Sequence, residues 1–545
     1  MKRIATILLF FYFFGPAWSQ SNRSTDMYVH FNQSFYLAGE HIRFNLFLGD
    51  ISIGPGNKNN EIILCALYSP DGSRVINHTK LETFRGHADG HLQIPALDND
   101  GFYPLVIYGS GQAYNFLLPI YNGKTHDPSP HVPVEKEPLN VFRQGPLQLS
   151  IEGNKTTYHP REKVEFELSV KGGHQFTYVS VNVYDQRNYF YRPLESMKQS
   201  PQASSFEPVN DVYGEVFLKK DSSLLKNKLI VGYFIKNKQF SGAFSNEKGE
   251  VLLNLNMVNG KDLLYLNAFE VNNNRIGEAF IRSSEMSIPL TRFSAEKIPQ
   301  RNTEVEAYIR KRTNINQINE AFKATGHAAY GSPAYVKPPY VITRKMDDYA
   351  TMASFRDACR EFIPNTIVRN NRKTGKDEIF LLEWGENKRF NDTPLFLING
   401  IPTLSSDTVL NLDYHSIDRV EVMVSPQTIS DYWQMGVNGV LSITLKEGIH
   451  NPLDKNLSIL PETNGLNKPL SFALQDHHGK ITTSPDFRPH LYWNPNLTIG
   501  KNESIPVSFY SADDITDYVI EVFGLSEKGV PGYLVEKFSV IRPGQ

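Results

Sequence analysis

A fourteen-residue pattern occurs twice in this chain, and it constrains the fold more than any other feature. Residues 35–48 (FYLAGEHIRFNLFL) align without gaps on residues 157–170 (TYHPREKVEFELSV), 122 residues further along. In both copies a Tyr, a turn containing Gly or Pro, and then Glu40 or Glu162 precede a run of alternating apolar residues. Such alternation is typical of a half-buried strand. Repetition at the length of a domain therefore predicts two related β domains.

The length and composition indicate several globular domains. At roughly 100–150 residues per domain, the 545 residues suggest four or five units. Apolar residues make up 40% of the chain and charged residues 21%, which is the balance of a folded protein. The formal net charge of -2 provides no field that would attract nucleic acid or anionic lipid, so we expect neither as a partner.

The N-terminus is typical of a secretory signal peptide. A charged start (MKR), an apolar run over residues 4–14, a Gly-Pro break and a small-residue site follow one another. We therefore expect a signal peptide over 1–19, cleaved after Ser19 or Gln20. The alternative is a retained membrane anchor, which needs about 20 apolar residues to span hydrocarbon. No later segment is apolar enough to span as a helix, so we expect an exported protein without a membrane span.

Two cysteines are too few for a disulfide framework in an exported protein of this size. Cys359 lies in a predicted helix with apolar residues at spacings of three and four, so we interpret it as a buried thiol. A disulfide between Cys65 and Cys359 is the alternative.

Changes in composition divide the chain into units. Short alternating strands separated by Gly, Asn, Asp and Pro turns predict β-sandwiches, whereas helix interspersed with short strands predicts a small α/β domain. A polar helix followed by an Ala-, Gly- and Pro-containing run predicts a linker. The predicted fold is multidomain and mainly β. Its units are sandwiches over 20–125, over 139–194 with neighbouring strands, over 210–290 and over 466–545, the linker over 295–339, and the α/β domain over 340–448.

The opening of each repeat resembles the first strand of bacterial macroglobulin-like domains, which reads as an aromatic-Tyr pair, a Pro or Gly turn, Glu and an alternating apolar run. Three stretches near the C-terminus, 491–495, 507–514 and 518–524, are also similar to domains of those proteins. The resemblance implies tandem macroglobulin-like sandwiches of the kind found in Bacteroidota, with structural roles for the repeated Tyr and Glu. The Cys-Gly-Glu-Gln thioester of protease-trapping macroglobulins is absent, so covalent trapping is not implied.

Three ordered blocks of the α/β domain resemble the plug domain of TonB-dependent outer-membrane receptors. They are 394–402 (PLFLINGIP), 417–424 (IDRVEVMV) and 436–446 (GVNGVLSITLK). In that family an apolar strand runs into an Asp/Asn-Gly turn and Pro, and strands of the Ile-x-x-Val-Glu-Val and Asn-Gly-Val-Ile-x-Ile kinds follow. The resemblance implies structural or partner-binding roles for six residues: Asn399, Gly400, Pro402, Glu421, Asn438 and Gly439.

The sequence departs from the receptor pattern after this domain. A receptor plug precedes a barrel of many transmembrane strands, whereas fewer than 100 residues follow Lys446 and they read as one further domain. Residues 21–28 contain no convincing segment for contacting TonB. We therefore expect the plug-like domain to bind a protein rather than to form part of a transporter.

No known catalytic or cofactor motif is present: there is no HExxH, GxSxG, P-loop, CxxC or dinucleotide-binding glycine pattern. The metal candidates are Asp476, His477, His478 and His490. Neighbouring side chains on a strand point to opposite faces, so we favour a water-exposed loop over a metal site.

The pair Asp513 and Asp514 fits a turn better than a cation site. Ser110 and Ser332 lie in loops without an identifiable base. We therefore predict no catalytic, cofactor or metal site.

The leading functional hypothesis is a non-catalytic cell-envelope interaction protein in the periplasm, at the outer membrane or on the cell surface. It would bind a protein partner through its plug-like domain and act as an accessory to an outer-membrane barrel or to a transport, secretion or assembly complex. One alternative is an extracellular protein that binds glycan or peptide. A second is a hydrolase whose site has no sequence signature.

Overall fold

The computed structural model describes residues 26–48, 60–84, 86–109, 111–124, 146–188, 198–199, 202–272, 274–283, 287–293, 303–321, 340–349, 351–372, 374–386, 388–477 and 485–542. The predicted signal peptide, Ser110, Ser332, His478 and the second half of the predicted linker lie outside these residues. No helix in the described part is long and apolar enough to cross a membrane.

The described residues between 26 and 203 form fourteen strands. They are β1 (Met27–Phe31), β2 (Tyr36–Leu37), β3 (His41–Leu48), β4 (Ile62–Tyr68), β5 (Val75–Glu82), β6 (His87–Gln93), β7 (Gly101–Gly109), β8 (Gln112–Tyr121), β9 (Gln148–Glu152), β10 (Thr157–Tyr158), β11 (Lys163–Lys171), β12 (Phe176–Asp185), β13 (Lys198–Gln199) and β14 (Gln202–Ala203).

The middle of the chain contains six further strands and then a mixture of helices and strands. The strands of the first part are β15 (Asp211–Leu218), β16 (Leu229–Phe234), β17 (Gln239–Phe244), β18 (Glu250–Asn254), β19 (Lys261–Phe269) and β20 (Arg275–Ser283), and helix α1 (Thr303–Ala321) follows. The mixed part has β21 (Ile342–Lys345), α2 (Phe355–Glu361), β22 (Thr366–Asn370), β23 (Asp377–Leu381), β24 (Leu395–Ile398), β25 (Ile401–Thr403), α3 (Ser406–Leu410), β26 (Ile417–Met423), α4 (Gln427–Tyr432), β27 (Val440–Leu445), α5 (Asp454–Leu457) and β28 (Glu462–Asn464). The last strands are β29 (His490–Gly500), β30 (Ser504–Tyr510), β31 (Asp517–Ser526) and β32 (Pro531–Val540).

The first repeat forms a β-sandwich, sandwich 1, as predicted. Its two sheets have the strand orders β13-β1-β3-β6 and β14-β8-β7-β4-β5, with β2 parallel to β8. Alternate residues of the facing strands form one apolar cluster that includes Phe44, Leu67 and Phe116. Cys65 is part of this cluster.

The second repeat forms a sandwich with the end of the chain. In this sandwich 2 the sheets have the orders β10-β32-β31-β12-β29 and β30-β11-β9, and their inner faces share one apolar cluster. The prediction of separate sandwiches over 139–194 and 466–545 is therefore wrong. Apolar alternation shows which face of a strand is buried, but it does not show which strand lies beside it.

The repeat itself is confirmed at the level of hydrogen bonds, first by the Tyr of each copy. The Tyr36 hydroxyl donates to Asn32 Oδ1 at 3.0 Å, and the Tyr158 hydroxyl donates to Asn154 Oδ1 at 3.1 Å. Both Tyr residues lie on two-residue strands that pair in parallel with a long strand, β8 in sandwich 1 and β32 in sandwich 2. The two domains therefore begin in the same way.

The Glu of each copy closes the same turn. Glu40 Oε2 accepts the Leu37 N–H at 2.8 Å, and Glu162 Oε2 accepts the His159 N–H at 2.8 Å. A carboxylate that accepts a backbone N–H three residues earlier satisfies a donor that the turn leaves unpaired. The predicted structural role of these glutamates is consistent with this geometry.

Residues 211–283 form a third β unit. Its strands follow the order β17-β16-β19-β20-β15-β18, and β28 pairs with β19 from outside the predicted boundary. Inward-facing residues of five strands form one cluster, which contains Val216, Phe234, Leu253, Leu266 and Ile281.

The α/β domain has a five-stranded sheet in the order β21-β26-β27-β24-β25, in which only β24 and β27 are parallel. The hairpin β22–β23 and helices α2 and α3 cover one face of this sheet, and Cys359 is buried there. Helix α2 begins later than the predicted helix near 347–362, because the Ser354 side chain caps it by accepting the Asp357 N–H. Both cysteines are free, so the alternative of a Cys65–Cys359 disulfide is wrong.

Helix α1 is the polar helix predicted within the linker over 295–339, but it packs on the sandwiches instead of only connecting domains. The side chain of Arg312 on this helix is 1% exposed. Its guanidinium donates to Gln33 and to Glu40 of sandwich 1 and, at 3.2 Å, to Asn188 Oδ1 of sandwich 2. Glu40 therefore has two roles: it closes the turn of the first repeat, and it pairs with Arg312 of helix α1.

Apolar and ionic contacts surround this buried arginine. Tyr308 and Ile309 of α1 pack against Phe35, Leu37 and Tyr121 of sandwich 1. On the other side of the helix, Lys311 Nζ lies 2.6 Å from Asp514 Oδ2 of sandwich 2. Helix α1 therefore joins the two sandwiches.

We predict that Arg312→Ala loosens helix α1. The substitution leaves the Glu40 carboxylate partly buried without its cation, which costs about 3 kcal/mol for a broken buried pair. Native-state hydrogen exchange of α1 should accelerate about 100-fold, since 1.4 kcal/mol is a factor of ten. Replacing both partners (Arg312→Met with Glu40→Gln) should restore part of the protection, because Gln still accepts the Leu37 N–H.

Gln317→Ala is the matched control, since Gln317 is an exposed position on the same helix. Equal exchange of α1 in Arg312→Ala and Gln317→Ala would contradict the role assigned to Arg312.

Candidate functional site

The plug-like motif begins with a tight hairpin turn. Asn399 and Gly400 connect β24 to β25 and have φ values of 48° and 82°. Two consecutive positive φ values define the type I′ turn, for which Asn-Gly is the preferred sequence. Asn399 Oδ1 also accepts the Leu445 N–H at 2.8 Å. Both residues thus stabilise the sheet.

Pro402 and Glu421 lie within strands of the same sheet. Pro402 is buried in the edge strand β25 opposite Leu397, and an edge strand is where proline is tolerated because it has no N–H to donate. Glu421 lies on β26 between Thr343 and Ser442.

Asn438 and Gly439 form the turn before β27. Asn438 is buried, and its Oδ1 accepts the Asp392 N–H at 3.3 Å. Gly439 has φ 78°, and a Cβ added there would lie 2.8 Å from Leu381 Cδ1. The Leu395 N–H donates to the Gly439 carbonyl, so this turn lies at the opposite end of β24 from Asn399. The six motif residues do not converge on one site.

The second face of the motif's sheet is covered by another part of the chain. Along β24, Phe396 and Ile398 pack in the core of the α/β domain. Leu395 and Leu397 point to the other face and pack on the third β unit. The third unit contributes Val231, Tyr233, Tyr265 and Phe269 to this interface. The sheet is therefore buried on both faces and is not available to a partner there.

Trp433 fixes the edge of this interface. Its backbone has φ 49° and ψ -145°, a conformation that non-glycine residues rarely adopt. The ring lies against Gly242 of β17, where an added Cβ would be 2.5 Å from Trp433 Cζ3. The neighbouring ring of Tyr432 contacts Phe240 at 6.2 Å. Close packing between a strained Trp and a Gly holds the α/β domain on the third unit.

The histidines proposed as metal candidates have separate partners. His477 Nε2 lies 2.9 Å from Asp486 Oδ2, which also pairs with Arg488. His490 is half-buried on β29, with Nε2 3.2 Å from Asn188 Nδ2. In the part of the chain that the structure describes, no group of three or more His, Cys, Asp or Glu side chains is arranged to hold a metal ion.

The aspartate pair also splits between two partners. Asp513 accepts from Arg161 at 2.7 Å, and this hydrogen bond lowers the pKa of the Asp513 carboxyl. Asp514 faces Lys311 of helix α1. The pair was predicted to form a turn, whereas the structure shows each carboxylate in an ion pair between segments.

Histidines with strongly lowered pKa values lie between sandwich 1 and sandwich 2. Burial lowers the pKa of His87 and of His91 to about 4. His87 stacks on Tyr178 at 5.3 Å with an angle of 4° between the rings. His91 lies against His41 and the strap formed by residues 465–477, where it exchanges hydrogen bonds with Asn467. Such shifts are typical of catalytic sites, but these rings are neutral packing groups inside an interface.

One outward-facing element of the α/β domain was missed in the sequence. The hairpin β22–β23 and the turn after it carry Trp384, which is 51% exposed. The sequence signals were the basic run at its tip (RNNRKTGK, residues 369–376) and the Trp-Gly pair at 384–385. Neither signal belongs to the plug-like motif.

No family model and no curated protein matches the chain. Two similar solved structures are of alpha-2-macroglobulin from Escherichia coli. The native form is 11% identical over 96% of this chain and 22% of that chain, with a TM-score of 0.17. The form activated by porcine elastase is 9% identical over 95% of this chain and 44% of that chain, with a TM-score of 0.25. The chain spans less than half of either protein, and TM-scores this low carry no argument about function.

We predict that the motif glycines affect folding in a graded way. Gly400→Ala meets open space and should cost only the strain of a positive φ, about 1 kcal/mol. Gly439→Ala adds a steric conflict with Leu381 and should cost roughly 1–3 kcal/mol more. Hydrogen exchange of β24 and β27 measures both changes. Equal protection in the two variants would contradict the packing described for Gly439.

Proposed function

We propose that this protein is a non-catalytic interaction protein of the cell envelope. Macroglobulin-like sandwiches form a rigid support, and the plug-like α/β domain is held on that support to contact an envelope protein. The repeated Asn, Tyr and Glu of the two sandwiches support the macroglobulin-like assignment. The three sequence blocks around the Asn-Gly turns support the plug-like assignment.

The observation that carries this proposal is the fixed attachment of the α/β domain. Its sheet is packed on the third β unit through an apolar interface that includes Leu397, Met423 and Met435. Arg275 Nη2 of the third unit also donates to the Thr393 carbonyl at 2.7 Å, and Glu278 accepts the Leu404 N–H. A domain bound on this face can meet a partner only with its remaining surface.

The third unit is in turn joined to sandwich 1. Tyr68 of sandwich 1 donates to the Pro289 carbonyl at 2.6 Å, and its ring contacts Phe293. The strap attaches through the Asn467 N–H, which donates to the Lys80 carbonyl at 2.6 Å. These joints position the α/β domain relative to the sandwiches, which favours a presenting role over an enzymatic one.

Two sequence features support an envelope function. The signal-like N-terminus supports export, and the plug-like motif supports an accessory of an outer-membrane barrel or of a transport, secretion or assembly complex. A periplasmic, outer-membrane or cell-surface location is part of the proposal.

A glycan- or peptide-binding protein is the second candidate, and one surface favours it. On the outer face of the third unit, Tyr213 and Leu252 are exposed partners across β15 and β18. Beside them Phe217 stacks on Phe280, and Arg282 lies 4.4 Å from the Phe217 ring. An aromatic face with a nearby cation is suited to sugar rings or to a peptide.

Photo-crosslinking in the native envelope tests the proposal. A photoreactive residue replaces one exposed side chain at a time: Trp384 or Tyr349 on the α/β domain, Tyr213 on the third unit, and Leu117 or Ile515 on the sandwiches. We expect a discrete adduct with an envelope protein from the α/β positions and none from the sandwich positions. An adduct from Tyr213 alone would favour the second candidate, and the absence of any α/β adduct would contradict the proposal.

A further inference from the structure

The hairpin β22–β23 has an outer face of unusual composition. Its inner face, with Ile379 and Leu381, packs in the core of the α/β domain. The opposite face carries the cross-strand pairs Ile367 with Phe380 and Arg369 with Glu378. The guanidinium of Arg389 lies 4.1 Å from the centre of the Phe380 ring. Phe380 is only 8% exposed, and its ring lies beneath Arg389. We call Ile367, Arg369, Trp384 and Arg389 the hairpin surface.

A rigid turn presents the tryptophan of this surface. The Glu386 N–H donates to the Glu383 carbonyl at 3.2 Å, and the Glu383 N–H donates to the Lys388 carbonyl at 2.8 Å. Gly385 at the third position has φ 72°, as a type II turn requires. Trp384 is thus held outward by backbone geometry. A half-exposed Trp on a hairpin that also carries arginines has the composition of a binding hot spot.

The positive charge of the hairpin is not neutralised locally. Each nearby carboxylate has its own partner: Asp377 pairs with Arg356 at 2.7 Å, Glu383 with Lys388 at 3.2 Å, Asp407 with Lys376 at 3.2 Å, and Glu378 accepts from Asn371. By contrast, Arg369 and Arg372 are exposed, and neither forms an ion pair with a carboxylate of the described residues. Glu378 lies opposite Arg369 across the hairpin, but its side chain accepts from Asn371 and forms no ion pair with Arg369 among the described residues. Two arginines without an ion-pair partner favour an anionic occupant.

The hairpin also has a free strand edge. β22 pairs with β23 on one side, and no backbone hydrogen bond joins its other side to any strand within the described residues. An edge strand of this kind accepts an extended peptide as an additional strand. In such an added strand, the side chains on the outer face would lie beside Ile367 and Arg369. An apolar side chain would complement Ile367, and an acidic side chain would complement Arg369.

We propose that the hairpin surface binds an extended acidic segment of a partner protein, added as a strand beside β22. This inference rests on the proposed function, because it names the chemistry of the partner that the α/β domain meets. The free strand edge favours a peptide over an anionic lipid headgroup, since a headgroup has no backbone to pair. The aromatic and arginine side chains supply the hot spot, and Arg369 and Arg372 supply charge complementarity.

Peptide binding to the full-length protein tests this inference. The probe is a fluorescent peptide of three Thr-Val-Thr-Glu repeats, in which Val and Glu share one face of a strand. A second peptide has Lys in place of Glu, and vesicles containing phosphatidylglycerol are the third probe. We expect the acidic peptide to bind, the Lys peptide not to bind, and added salt to weaken binding.

Variants locate the binding. Arg369→Glu, Arg369→Gln and Trp384→Ala should each weaken binding at least about tenfold, the size expected for a hot-spot residue. Lys501→Glu, an exposed charge reversal on sandwich 2, should leave binding unchanged, and each variant should unfold like the parent protein.

Binding to vesicles alone, equal binding of both peptides, or no binding would overturn the inference. If the peptide test fails in one of these ways but photo-crosslinking still joins the α/β domain to an envelope protein, the proposed function stands and only this inference is wrong. If photo-crosslinking gives no adduct from the α/β domain, the proposed function itself is wrong.

Discussion

β12 (Phe176–Asp185) is hydrogen-bonded along one edge to β31 and along the other to β29, so a strand of the second repeat is paired on both sides by strands that lie more than 300 residues later. The apolar cluster of sandwich 2 likewise mixes residues of both ends, such as Val181 with Val522. A sheet with one hydrophobic face must bury that face against another layer. Sandwich 2 therefore forms only when β29–β32 pair with the strands of the second repeat. The described residues between β12 and β29 are an insertion into this sandwich.

Polar contacts then fix the position of this insertion. The interface between the sandwiches includes apolar rings, such as Phe47 and Phe523 at 5.1 Å, but its orientation depends on buried hydrogen bonds. His30 Nδ1 bonds to Ser180 Oγ at 2.6 Å, and Arg312 reaches both sandwiches from helix α1. Buried polar groups cost free energy unless they are paired, so they favour one arrangement over others. A support of this kind suits a protein whose task is to hold a domain in a fixed direction.

The sequence predicted the local features whose chemistry is contained in a few adjacent residues. The Glu40 and Glu162 turns and the Asn399-Gly400 hairpin fall into this class, because a turn is specified by its own residues. The pairing of β12 with β29 was not predictable in this way, because the alternation of apolar residues does not specify which strand lies next to β12. Helix α1 was read as part of a linker because Arg312, a charged residue, lies at its buried position. Trp384 lies outside the plug-like motif, and its exposure depends on how the hairpin packs, which the Trp-Gly pair alone does not specify.

Closure of sandwich 2 by the end of the chain is the claim on which the rest depends, and hydrogen exchange of a shortened chain tests it directly. A protein lacking residues 485–545 should lose protection in β11 and β12, which would exchange as in an unfolded segment. Adding the fragment 485–545 in trans should restore that protection. If β11 and β12 remain as protected in the shortened chain as in the whole protein, the second repeat folds alone and the account is wrong.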